Sequence, residues 1–436
     1  MERKQYTAYR SRIINPLSSS RASDIRDGLL IVDKVGCIVF CGSYADAKNL
    51  KLKLKIIDLR QYLLIPGLID CHLHLPQLDC RGKHGETLLD WLKRYIFPAE
   101  AAFKDPKIVD DVGKRFFKKL ILNGTTTASI YVTVHSSATD HAFKLAKQCG
   151  IRAIIGKVMM DQNVPEELVE NTKDSLRESE KLAAKWHNSC SGRLRYAFTP
   201  RFVPTCSKLL LKEIGKLASQ SDTYIQSHIA ETREENANVK KIYPEYTDYF
   251  SIFEDTGTVG PKTILGHAIY LSDSEFKRMA ASKTKIAHCP TSNLFLKSGK
   301  FPFFKAEKAG VFLGLGTDVG AGTSMCLFSE MRHADYTQPD QWVDPVKGFY
   351  LATLGGAAAL SMGNEIGNFK HGKWADFIVL DIRKIDYHYK LSDLTTDEVL
   401  SLLMYRGTGA VVKFTYVSGK KLDVDSLKLF RRAVGY

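Results

Sequence analysis

Downstream of residue 66 the chain alternates short apolar segments of β character with amphipathic segments of helical period, and this rhythm constrains the fold more than any other feature. The strand-like segments are 68–74, 125–130, 152–159, 194–199, 224–228, 263–267, 284–288 and 311–317. The helical segments between them are 108–122, 141–148, 172–187, 207–219, 234–242, 272–281 and 303–309, with 327–336 and 345–360 after the last strand. Parallel strands need a crossover connection, so strand followed by helix reads as a βαβ unit. The repetition predicts a TIM-like (β/α)8 barrel of class α/β over 66–365, with its chemistry at the C-terminal strand ends.

The two ends of the chain have a different texture. Asp33-Lys34-Val35-Gly36 separates Gly28-Leu29-Leu30-Ile31-Val32 from Cys37-Ile38-Val39-Phe40, which reads as a hairpin. Strand character returns at Trp374-Ala375-Asp376-Phe377-Ile378-Val379-Leu380-Asp381 and at Lys413-Phe414-Thr415-Tyr416-Val417. These segments predict a small β-sandwich domain built from both termini, 1–65 with 366–436. A length of 436 residues suits a barrel with such a side domain.

Composition narrows the function classes. The longest apolar stretches, such as 62–69, are too short to span a bilayer, and the first twelve residues are polar, so a cytoplasmic location and no membrane partner are expected. Nine cysteines without a C-x-x-C pair predict reduced thiols. Lys and Arg outnumber Asp and Glu by 62 to 48, a formal charge of +14. The basic residues are dispersed, as at Lys51/Lys53/Lys55 and Lys240/Lys241, with no long run interleaved with aromatics. They read as a solvated basic surface, and no nucleic-acid partner is expected.

Pro66-Gly67-Leu68-Ile69-Asp70-Cys71-His72-Leu73-His74 enters the first barrel strand. Side chains alternate faces along a strand, so His72 and His74 share one. His228, His267 and Asp318 stand at or just beyond the ends of later strands, and Glu231 lies three residues after His228. Zinc favours imidazole nitrogen and carboxylate oxygen, and a catalytic site keeps a position for water. His72, His74, His228 and Asp318 therefore read as the ligands of a zinc ion that activates water. Glu231 can take the proton of that water and pass it to a substrate nitrogen, and His267 can polarise the reacting oxygen. Each residue also has a plainer reading. His228 and His267 could be capping or core histidines, Glu231 a helix-start carboxylate, and Asp318 an N-cap or turn residue. His84-Gly85-Glu86 matches half of a zinc deaminase signature, but P-C-x-x-C is absent, so both read as loop residues.

The motif at 66–74 resembles the first metal motif of the amidohydrolase superfamily. Two-metal members carry a bridging lysine at the end of strand four, where this chain has Thr199-Pro200-Arg201-Phe202, which implies the one-metal type. Within that type, several stretches are similar to the guanine deaminase family. They are His74-Leu75-Pro76-Gln77, the segment 89–100, Thr199-Pro200-Arg201-Phe202, Ser227-His228-Ile229-Ala230-Glu231-Thr232, His288-Cys289-Pro290-Thr291-Ser292-Asn293 and Gly316-Thr317-Asp318-Val319-Gly320. The resemblance spans about residues 28–419.

It implies one zinc per chain on His72, His74, His228 and Asp318, with catalysis by Glu231, His267 and Asp318. It implies deamination of guanine to xanthine and ammonia in purine catabolism or salvage, by a homodimer. Guanine would be met by Gln77, Arg201 and Phe202, lined also by His74, His228, Glu231 and Asp318, with Trp91 a second aromatic able to stack. Trp91 and Phe202 equally suit a core, and Arg201 a salt bridge. Cys71 departs from the family's usual threonine, on the strand face away from the histidines, so little effect is expected; Cys80 is a second local difference. The rival readings are deamination of another heterocycle on the same scaffold (8-oxoguanine, a pterin or an adenosyl compound) and a metal-free binding scaffold. A weaker one has the terminal Ala433-Val434-Gly435-Tyr436 entering a peptide groove.

Overall fold

The computed structural model describes residues 5–85 and 87–427, so Glu86 and the terminal 433–436 segment lie outside the described residues. Four strands open the chain: β1 (Gln5–Ser18), β2 (Arg21–Val32), β3 (Ile38–Ser43) and β4 (Lys53–Pro66). The barrel strands follow as β5 (Leu68–His74), β6 (Thr125–Tyr131), β7 (Arg152–Gly156) with its short continuation β8 (Val158–Met159), β9 (Leu194–Pro200), β10 (Tyr224–Ile229), β11 (Thr263–His267), β12 (Lys285–His288) and β13 (Leu313–Leu315). β14 (Phe377–Leu380), β15 (Val412–Val417) and β16 (Lys420–Lys421) come last.

Neighbouring barrel strands pair in parallel in the order β5-β6-β7-β9-β10-β11-β12-β13. The ring closes just beyond β13, where Asp318 N–H donates to His72 O and His74 N–H donates to Val319 O, both at 2.8 Å. This is the (β/α)8 barrel that the alternation predicts. Every residue of β5 is buried, because one face meets the barrel interior and the other the surrounding helices. The segment expected as one strand over 152–159 is interrupted at Lys157. Its buried ammonium turns to an ion pair with Glu170 and a hydrogen bond to Ser175 Oγ at 3.2 Å, since a buried charge must be paired.

The outer helices carry local start signals. Ser207 caps Lys208–Ser221, while Thr232 with Glu235 and Ser272 with Glu275 form capping boxes for Arg233–Ile242 and Asp273–Ala281. Tyr249–Asp255 and Thr396–Arg406 have no counterpart among the expected helices, and neither do several shorter ones such as Pro290–Phe295. The first reads YFSIFED, a short aromatic run with no clear helical period.

The termini build one seven-stranded sheet, in the order β16-β15-β14-β4-β1-β2-β3. The expected hairpin joins β2 to β3, with Asp33 Oδ1 accepting from the backbone N–H groups of Val35, Gly36 and Cys37 at 3.0, 2.8 and 2.8 Å. The chain passes from this sheet into the barrel at Gly67, where a Cβ would lie 2.1 Å from Thr126 Oγ1; only glycine fits. Asp376 ties the two sheets together: its carboxylate accepts from Arg152 Nε at 2.8 Å and from Ser418 N–H at 2.8 Å, and its carbonyl from Gly67 N–H at 3.0 Å. No described helix is long and apolar enough to cross a membrane.

Candidate active site

His72 and His74 enter the barrel mouth from β5, His228 from β10, His267 from β11, and Asp318 from the segment that closes the ring. The backbone turns sharply where these strands end. Ala230, His267 and Asp318 adopt left-handed φ values of 51°, 71° and 45°, conformations that non-glycine residues take only under constraint. Two glycines make room for the His72 ring. A Cβ on Gly266 would stand 2.9 Å from His72 Cε1, and one on Gly316 would stand 2.7 Å from His72 Cβ.

Asp318 Oδ1 lies 3.3 Å from Nε2 of both His72 and His74. Nε2 of His74 lies 3.2 Å from Nε2 of His228. Nδ1 of His228 is 2.6 Å from the carbonyl oxygen of Arg201, which can only accept, so His228 carries its proton there and turns a lone pair towards His74. His72 Nε2 is buried without a hydrogen-bond partner. Buried nitrogens facing one another and a carboxylate are costly unless a cation lies between them. The residues present therefore fit a metal ion, and three imidazoles with one carboxylate suit zinc. The ligand atoms of His72, His74 and Asp318 lie within 4.8 Å of one another, as do those of His72, His228 and His267.

His267 is engaged differently from the other three. Its Nδ1 is 2.9 Å from Asn293 Oδ1, and its Nε2 faces Glu231 Oε2 at 3.6 Å and Asp318 Oδ2 at 3.9 Å. Ser292 Oγ donates to Asp318 Oδ2 at 2.6 Å, and Ser298 Oγ to Glu231 Oε1 at 3.0 Å. Neither carboxylate caps a helix. The carboxylate of the local capping box is Glu235, which accepts from the backbone N–H of Glu231 at 2.8 Å and so fixes the stretch that presents Glu231.

Electrostatics follow from this packing. Burial holds His72 down to about 4 and, with the adjacent imidazoles, keeps His228 well below its usual range, so both are neutral and able to ligate at neutral pH. Burial would raise Asp318, but the adjacent His72, His74 and His267 imidazoles overcome it and hold the group well below the usual carboxylate range. Burial pushes Glu231 up to about 7, where a carboxyl group can both take and return a proton; a bound cation would lower that value. For His267, burial opposes the charged form, but Glu231 and Asp318 outweigh it and raise the imidazole.

Beside this cluster lies a second one. Arg201 follows β9 and donates from Nη1 to both oxygens of Glu100, at 2.7 and 2.6 Å. Gln77 donates from Nε2 to Glu100 Oε1 at 2.9 Å and accepts at Oε1 from Gly320 N–H at 3.1 Å. Arg201 Nε and Nη2 have no partner among the described residues. Glu100 carries no role in the sequence reading, although it ends one of the stretches that bear the resemblance. Asp70 was missed as well. It shares the inward face of β5 with His72 and His74, and it accepts from Thr317 N–H at 3.0 Å and Thr317 Oγ1 at 2.5 Å. Its period-two spacing from His72 is the signal that could have found it.

Phe202 follows Arg201 in extended backbone and is half-buried. Trp91 packs with Cys80, Leu92, Ile96 and Ala321, and its indole N–H donates to Lys83 O at 2.8 Å. Among the described residues no ring contact joins it to the histidines. Cys71 faces away from them, with Sγ 3.7 Å from Gly356 O. His84 lies in irregular backbone.

Residues 63–422 match a family model described as the amidohydrolase family. Guanine deaminase of Escherichia coli (strain K12) is 36% identical over 405 residues, covering 91% of each chain. That of Mus musculus is 34% identical over 421 residues, covering 91% of this chain and 92% of its own. A crystal structure of guanine deaminase from C. acetobutylicum, with guanine bound in its active site, matches with a TM-score of 0.90 at 30% identity, covering 96% of this chain and all of the other.

Proposed function

Because this chain belongs to the amidohydrolase family, with guanine deaminases among its relatives, we propose that it hydrolyses guanine to xanthine and ammonia. The observation that carries the reading is the meeting, at one barrel mouth, of a His/Asp metal set with a buried guanidinium that keeps unspent donors. His72, His74, His228 and Asp318 would hold one zinc ion per chain, which supplies Lewis-acid activation of water when bound. Glu231 accepts a proton from the attacking water and delivers it to N3 of the ring as the water oxygen bonds to C2. The Glu231 carboxylate then takes the proton of the new C2 hydroxyl and passes it to the departing amine as the C2–N bond breaks, so that guanine and water become xanthine and ammonia. His267, 3.6 Å from Glu231, stabilises that carboxylate and positions the attacking oxygen with Asp318. Arg201 and Gln77 offer hydrogen bonds to the O6 edge, and Phe202 or Trp91 supplies an aromatic face for the base.

On the same resemblance we propose a homodimer and a place in purine catabolism or salvage; from the residue pattern we propose a cytoplasmic location and a division into a barrel domain over 66–365 and a terminal domain of 1–65 with 366–436. The test is ammonia release by purified protein on guanine, adenine, cytosine and 8-oxoguanine in parallel, with zinc determined on the same sample. Release from guanine above the others, with one zinc per chain, is expected. Faster release from another heterocycle reassigns the substrate, and a stable metal-free protein releasing none abolishes the enzymatic reading.

A further inference from the structure

Glu100 takes part in no step of the proposed reaction, yet it is fully buried and receives both Arg201 and Gln77. We propose that Glu100 is a positioning residue for substrate specificity: it locks the Arg201 guanidinium and the Gln77 amide at one spacing and cancels the arginine charge, so that together they select a neutral purine bearing a carbonyl at C6. This rests on the guanine reading above.

The hydrogen-bond inventory makes the case. Gly320 N–H donates to Gln77 Oε1 while Gln77 Nε2 donates to Glu100, so the amide has one orientation. One N–H of Gln77, and Nε and Nη2 of Arg201, remain unspent among the described residues. Both side chains are almost wholly buried, so their unspent donors are poorly served by water. A carbonyl acceptor satisfies such donors, whereas an amine or a bare C–H at the same position leaves them unpaired. Without Glu100 the guanidinium would be a buried, uncompensated cation, free to rotate and attractive to anions rather than to a neutral base. Glu100 is itself anchored: Thr133 Oγ1 donates to its carbonyl at 3.1 Å. A carboxylate needed only for packing would not have to receive both groups that face the base.

The experiment compares guanine with 2-aminopurine, which keeps the amine at C2 and lacks the C6 carbonyl. In Glu100→Gln, KM for guanine should rise about tenfold or more, the size of a lost charge-assisted contact, while Ki for 2-aminopurine, kcat and zinc content change less than about threefold. Glu100→Asp should recover part of the loss. Should Glu100→Gln fold poorly, the pair Arg201→Met and Glu100→Gln/Arg201→Met, which leaves no unpaired charge, decides the matter. Glu100 acts through Arg201, so the double variant should have the guanine KM of Arg201→Met within about threefold. Equal losses for both purines, a fall in kcat at constant KM, or additive effects in the double variant overturn the inference alone. Wild-type protein that does not deaminate guanine overturns the functional reading and this inference with it.

Discussion

Nδ1 of His228 stands 2.6 Å from the carbonyl oxygen of Arg201, so a single residue orients an imidazole of the proposed metal set with its backbone and holds Glu100 with its side chain. The bond fixes the His228 tautomer and frees Nε2 for ligation, the usual arrangement around a metal-binding histidine. The His/Asp cluster and the Arg201–Gln77–Glu100 cluster are therefore joined directly at the ends of β9 and β10. Changes to the Arg201 side chain should separate from changes to the metal, because only its backbone serves His228.

Replacing His72, His228 or Asp318 by Ala should remove most bound zinc and most activity together. Elemental analysis of each purified variant beside its ammonia-release rate checks this; a variant that stays active without metal would refute the ligand set.

Glu231→Gln should keep zinc and lose turnover by ~10²–10⁴, the usual contribution of a positioned acid or base. Loss of zinc along with activity would instead make Glu231 a ligand.

Gly266→Ala should disturb the metal site without replacing a ligand. The added methyl would lie 2.9 Å from His72 Cε1 and 3.1 Å from its Nδ1, so the ring has to move. Zinc affinity should drop by roughly 10–100-fold, as for other changes that shift a ligand's orientation. Chelator competition against the wild type measures it, and unchanged affinity would show that His72 does not depend on that space.

Arg201→Met should raise KM for guanine and lower kcat/KM while zinc stays bound. Wild-type enzyme should reject adenine, whose amine leaves buried donors unpaired, by a factor on the order of 10⁴. Measuring kcat/KM for both bases in both proteins checks the two statements at once.

Lys285 offers a pH test remote from the chemistry. Burial pulls its ammonium down to about 8, and its partners are neutral: Ser361 Oγ at 2.7 Å and the carbonyl of Pro261. The unfolded chain holds that proton to about pH 10.4, so between pH 8 and 10.4 the unfolded state binds more protons and this group's contribution to stability rises with pH. Below pH 8 the contribution is level. Melting temperatures of wild type and Lys285→Met should differ by a constant amount up to pH 8, and the wild type should gain on the variant above it. A difference independent of pH from 7 to 10.4 would place the Lys285 pKa near its ordinary value.

Much of the frame was legible in the sequence because its determinants are local. Strand alternation placed His72 and His74 on one face of β5, and the run of β and helical segments predicted the barrel with the other candidates near its strand ends. The β-hairpin at Asp33–Gly36 was equally local, because one carboxylate serves three backbone donors within four residues. In two places where the pattern failed, a single side chain or a short run was responsible: Lys157 interrupts a strand to reach Glu170, and Tyr249–Asp255 forms a helix too short and too aromatic to show a period.

Local residue order thus dictates the alternating scaffold, the shared face of the first two histidines and the chemical character of the candidate set. Which buried polar atom meets which is set by the folded chain. Glu235, and not Glu231, is the capping carboxylate; Asp70 meets Thr317 from 247 positions away; Glu100 meets Arg201 from 101. Periodicity is a property of neighbouring residues, whereas the pairing of desolvated donors and acceptors is imposed by closure of the barrel, which brings distant strand ends together and leaves no water to satisfy a group that lacks a partner.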